Sequence, residues 1–140
     1  MNWHELATTS PFRTARAALQ ALQRGNVPDA SAGIEELVET LARSDKRALR
    51  SHLTRLLAHI IKWQTQPEKR SRSWRASIRN ARREIASIQE ETPSLTRAVI
   101  ESMWQDCFEA AKEEAEGDMN QESTVSRLSW KAAFEKDYEV

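Results

Sequence analysis

Residues 44–67 read SDKRALRSHLTRLLAHIIKWQTQP, and the fold class turns on this stretch. Leu49, Leu53, Leu56, Ile60 and Trp63 recur in steps of three and four, the spacing that lines one face of an α-helix. A strand would change face at every residue and scatter them. Ser44 can cap the start, and Pro67 ends the run by disfavouring helical geometry at Gln66. The segment is expected to be the central core helix.

The same spacing extends in both directions. Downstream, Trp74, Ile78, Ala81, Ile85 and Ile88 form a stripe that stops at Thr92 and Pro93. Val99, Ile100, Met103, Cys107 and Ala110 mark another helix, running out near Gly117 into the polar loop GDMNQEST, and a short last helix is expected around Trp130 and Phe134. Upstream, Ile34, Leu37, Val38 and Leu41 repeat until Ser44, preceded by the break NVPDAS. Before it, Ser10 and Pro11 open a helix that Gly25 closes, over about Pro11 to Arg24. The expectation is an all-α fold, a compact bundle of about five mostly antiparallel helices plus a short C-terminal helix. Residues 1–140 would form a single helical domain.

Composition agrees and excludes other classes. Only three Gly and four Pro occur, and 39% apolar with 30% charged residues is too apolar for a disordered chain and too polar for a membrane one. The longest apolar stretch, Leu56 to Ile61, is interrupted by His59 and falls far short of the ~20 residues that span a bilayer. One cysteine, Cys107, cannot form an intrachain disulfide, and MNWHELATTS lacks the basic and apolar regions of a secretory signal, so a cytoplasmic protein is expected.

Candidate chemistry is sparse. His52, His59 and Trp63 lie at the edge of the central helix's apolar face, and Glu36 precedes them, which makes these four a candidate polar cluster. His52 and His59 are two turns apart, ~10.5 Å along the helix, too far to share one ion. The expected role is a hydrogen bond from a half-buried imidazole to a glutamate of the preceding helix or to a backbone carbonyl, with neither metal nor cofactor. No serine sits in a glycine-rich elbow, and three scattered glycines cannot build a phosphate-cradling loop.

The charge distribution is more informative. Residues 1–42 carry three basic and five acidic side chains, residues 43–83 thirteen and two, and residues 84–140 five and fourteen, so a neutral total hides a strongly basic middle. Arg70, Arg72, Arg75, Arg79 and Arg82 make a candidate anion-binding stripe around Trp74. Like charges three and four apart on a helix repel, so something anionic is expected to face them. Phosphates of a nucleic acid would fit. Carboxylates fit better with a sequence pI near 6.9, and Asp106, Glu109, Glu113 and Glu116 follow the same spacing.

The segments IEELVETL (34–41), residues 44–85 and TPSL (92–95), with the tail WKAAFEKDY (130–138), resemble the bacterial family called domain of unknown function 29. A Ser-His-Leu run, a Lys-Trp-Gln segment before Gln-Pro and a Ser-Trp-Arg helix start occur together and in order. The resemblance implies a compact helical protein of bacterial origin and brings no activity or catalytic residues with it. The function expected from the residues is a small protein-interaction or regulatory module, its partner another protein or a second copy of the chain. The alternative is a nucleic-acid-binding accessory factor using the arginine stripe, and the third reading is a metal-dependent enzyme built on His52, His59 and Glu36.

Overall fold

A computed structural model of the chain describes residues 1–139, and its regular structure is all helical, with no strand among those residues. The α-helices are α1 (Trp3–Thr9), α2 (Pro11–Gln23), α3 (Val27–Thr65), α4 (Arg72–Glu91), α5 (Arg97–Ser102) and α6 (Trp104–Met119). A 3-10 turn at Pro67–Lys69 links α3 to α4, and a π-helical turn occupies Lys131–Glu135.

Side-chain caps set most of the starts. Ser10 accepts from the Arg13 N–H, Ser71 from Trp74 and Thr96 from Val99, each satisfying a donor that the first helical turn leaves open. Between α2 and α3 the chain turns at Gly25, whose φ of 82° suits glycine; the Gly25 and Asn26 N–H groups return to the Leu22 and Ala21 carbonyls in a Schellman arrangement.

The helices expected around Leu37 and around Leu56 are one unbroken helix of 39 residues, α3. Nothing between Ala42 and Ala48 stops it: the stretch has no Gly or Pro, and a Ser or Asp in a helix interior costs under about 0.7 kcal/mol. Its start is earlier than Ile34, because Asn26 accepts from the Asp29 N–H and Pro28 falls in the first turn, where a missing N–H is harmless. The helix expected over Val99 to Ala110 breaks at Met103. There the Ser102 hydroxyl donates to the Val99 carbonyl and competes with the helical ladder. The short last helix around Trp130 and Phe134 is the π turn.

The chain divides into two compact units, Met1–Lys46 and the part from Arg47 onward. In the first, α1 packs on α2, and the buried residues are small except for one: Trp3, Ala7, Thr14, Ala18, Ala21, Ala30 and Gly33. Trp3 lies directly on Gly33 of α3 and donates through Nε1 to Asp29 at 2.8 Å. Ile34, Leu37, Val38 and Leu41 repeat at helical spacing as read from the sequence, yet Ile34, Val38 and Leu41 are exposed and Leu37 is half-buried. The reason is that α1 docks on the Asp29, Ala30 and Gly33 side of α3, which leaves the large apolar residues on another face.

The second unit has an ordinary large-residue core. Leu53, Leu56, Leu57, Ile60 and Ile61 of α3 are fully buried against Ile78 and Ile85 of α4, Ile100, Cys107 and Ala111 of α5 and α6, and Tyr138.

A Cβ at Gly33 would lie 2.7 Å from the Trp3 ring. Gly33→Ala should therefore displace the indole and weaken the docking of α1 by about 1–3 kcal/mol, as overpacking does. Limited proteolysis read by mass spectrometry should then cut within residues 1–10 faster than in the wild type; equal rates would show that the ring shifts freely.

Candidate functional site

The stripe on α4 is built by local sequence. Its apolar residues Ile78, Ala81 and Ile85 turn inward, which forces the interleaved arginines toward the surface. They then meet different fates. Arg82 folds back into the unit: its Nε donates to the Ala133 carbonyl at 2.7 Å, and one terminal nitrogen reaches the Lys136 carbonyl at 2.8 Å and that of Ala132 at 3.4 Å. This guanidinium thereby caps the end of the π turn. Tyr138 completes the arrangement by donating to the Ala132 carbonyl at 2.7 Å, with the Arg82 guanidinium 5.6 Å from its ring centre.

Arg70 is also structural. Its Nε donates to the Trp63 carbonyl at 2.8 Å while the guanidinium lies 5.1 Å from the Trp63 ring, and Trp63 stands edge-on to Tyr138. Arg75 meets Glu139 at 3.3 Å, and its Nε is buried without a partner. Arg72 and Arg79, joined by Arg83, line a shallow groove with Arg75, Ala76 and Asn80. Among the described residues these three arginines face no carboxylate. Of the five expected anion-binding arginines, only Arg75 pairs with a carboxylate among the described residues, and it is Glu139 rather than one from α6. On α6, Glu116 accepts from the Ser123 N–H and Glu109 from Gln105.

The candidate polar cluster falls into two parts. Glu36, in the first unit, takes His4 as its partner at 3.1 Å. In the second unit, His59 bonds the Arg55 carbonyl through Nδ1 at 2.9 Å, the backbone alternative foreseen for it. Burial pushes the His59 imidazole below its ordinary value, opposed by that bond. His52 lines a cleft with Arg55, Ser77, Asn80 and Glu84, without a hydrogen bond of its own among the described residues. Trp63 is core. Among those residues no three His, Cys, Asp or Glu side chains gather as a metal site would require. Cys107 is buried, which raises its thiol above the ordinary value, and its Sγ donates to the Arg50 carbonyl.

Two features went unread in the sequence. Lys62, nearly buried, donates to Asp118 at 2.7 Å; it lies on the side of the central helix away from the stripe of Leu49 to Trp63, where spacing alone marks a residue as exposed. The other is a pair of exposed apolar stripes in the first unit, one on α2 and one on α3. Phe12, Leu19 and Leu22 on α2, and Val27, Ile34, Val38 and Leu41 on α3, are between 48% and 70% exposed. Beyond Met1, they are all the exposed large apolar side chains of the described chain. Their spacing was visible, but it reads the same for a core face and for an interface.

An all-helical protein with an arginine groove on one unit and an apolar face on the other is the class that fold and surface define. Residues 15–138 match the family model described as Domain of unknown function DUF29, and the chain belongs to that family. No curated protein and no solved structure matches it. No helix among the described residues is long and apolar enough to cross a membrane.

Arg82→Lys loses the forked reach and should cost about 1–3 kcal/mol in urea unfolding, whereas Arg79→Ala, exposed in the groove, should stay within about 0.5 kcal/mol. Equal effects would mean that the groove arginines are structural too.

Lys62 holds the Asp118 carboxyl below its ordinary value, through its hydrogen bond and its charge. A carboxylate whose folded pKa is depressed contributes stability that is full above its unfolded pKa, near 4, and is lost as pH falls through the folded pKa. Asp118 is largely exposed, so the contribution is small. Asp118→Asn should cost at most about 1 kcal/mol near pH 7 and less near pH 3, measured by urea midpoints at both. A difference that grows toward acid would contradict this.

Proposed function

We propose that this protein is a cytoplasmic protein-interaction module whose contact surface is the outer face of α2 and α3 in the first unit. The observation that carries the reading is the inversion of that unit: its buried side chains are small apart from Trp3, while its large apolar side chains point out. Exposed apolar patches above a few hundred Å² mark interaction sites on soluble proteins, and leaving seven large side chains half in water forgoes roughly 1 kcal/mol or more for each. The single buried cysteine suits a reducing compartment.

A photo-crosslinking residue at Val38, in the full chain expressed in cells, should give discrete protein adducts, and the same residue at Arg79 should not. Protein adducts absent at Val38 would remove the reading.

Arg72, Arg79 and Arg83, without an ion pair among the described residues, favour a second reading, contact with the phosphates of a nucleic acid. Under the first reading a labelled oligonucleotide binds only weakly at low salt and is released near physiological ionic strength. Micromolar binding that survives such salt and is lost in an Arg72→Glu, Arg79→Glu variant would put the second reading first.

A further inference from the structure

On α2, Phe12, Ala15, Leu19 and Leu22 follow one another in steps of three, four and three, and all four are exposed. On α3, Val27, Ser31, Ile34, Val38 and Leu41 follow in steps of four, three, four and three, again all exposed. Alternating steps of three and four are the seam spacing of helices that pack side by side, knobs into holes. Both seams belong to the first unit, on helices joined by the Gly25 turn.

The two helices carry opposite charge, and of their charged residues Arg16 and Glu35 flank the seams. The α2 segment with its closing residue holds Arg13, Arg16 and Arg24 and no acid, while α3 as far as Thr40 holds Asp29, Glu35, Glu36 and Glu39 and no base. Asp29 and Glu36 are engaged by Trp3 and His4, and Glu39 lies 3.9 Å from Arg43. Arg13, Arg16, Arg24 and Glu35 have no ion pair among the described residues. Arg16 and Glu35 hold equivalent places: Arg16 is four residues after Phe12 and three before Leu19, and Glu35 is four after Ser31 and three before Val38.

We propose that the α2 and α3 seams close on a second copy of this chain, with α2 of one protomer along α3 of its partner. This rests on reading the outer face as an interaction surface and names its occupant. Three observations select a second copy. The part of the chain from Arg47 to Glu139 exposes no large apolar side chain, so it offers no matching face, and the surface that complements the seams is the seams themselves. Charge then selects the pairing: α2 on α2 would oppose arginines, α3 on α3 would oppose carboxylates, and only α2 on α3 brings unlike charges together. A two-fold axis makes that contact twice. Finally, seven side chains at this exposure present roughly 700 Å² on each protomer, close to the ~800 Å² per partner of a stable interface.

The test is sedimentation velocity on the full chain over a range of micromolar concentrations. The wild type should have twice the 16.1 kDa mass of one chain. Arg16→Glu and Glu35→Arg, each alone, should weaken the dimer roughly ten- to a hundred-fold by setting like charges together. An equimolar mixture of the two variants should recover it, because every Glu at 16 then faces an Arg at 35 and the reverse. Both positions are exposed, so unchanged circular dichroism controls for folding. A dimer indifferent to both reversals, or single variants that mixing does not rescue, would overturn the α2-on-α3 pairing. A wild type that is monomeric throughout, with Val38 adducts to a different protein, overturns the second copy and leaves the interaction reading standing. A monomer with no Val38 adducts overturns both.

Discussion

From Leu53 to Trp63, α3 has almost no side that faces water: Leu53, Leu56, Leu57, Ala58, Ile60, Ile61, Lys62 and Trp63 are all buried. A helix apolar on nearly every side must be covered on nearly every side, and the rest of the second unit answers that demand. α4 supplies Ile78, Ala81 and Ile85, while α5 and α6 supply Ile100, Cys107 and Ala111. The chain after α6, with little regular structure of its own, contributes Leu128, Ala133 and Tyr138. Even Lys62 is drawn in, and its ammonium is compensated by Asp118 at the end of α6.

Covering a helix with a non-helical tail creates a second problem, because buried carbonyls outside regular structure need donors. Arg82 and Tyr138 solve it together at the Ala132, Ala133 and Lys136 carbonyls. The indole N–H of Trp104 does the same for Leu128 at 3.1 Å. Trp130 and Phe134 stack at 4.3 Å beside Trp104, and Arg97 sits 4.2 Å from the Trp130 ring centre. Part of what looks in the sequence like a basic surface is thus spent inside the unit, and Arg72, Arg79 and Arg83 of the groove make no ion pair among the described residues.

The first unit obeys different packing. Small residues let its helices come close, as Gly33 does beneath the Trp3 ring, but small residues bury little apolar area, so less of the hydrophobic driving force is realised inside the unit. The large apolar side chains sit where a partner could add to it.

The sequence by itself determined that the protein is all-helical, where α2 and α4 lie, and that the stripe from Leu49 to Trp63 is core, because side-chain periodicity and capping residues act within a few residues of the chain. It also carried the family resemblance, through runs such as SHLTRLL and KWQTQP. Only the tertiary structure decided that Arg82 caps a distant turn, that Glu36 meets His4, and that Ile34, Val38 and Leu41 face outward. Each of these depends on what a neighbouring element leaves open. An apolar stripe at helical spacing records that a face is to be covered, and which part of the molecule covers it is settled by contacts between residues far apart in the chain.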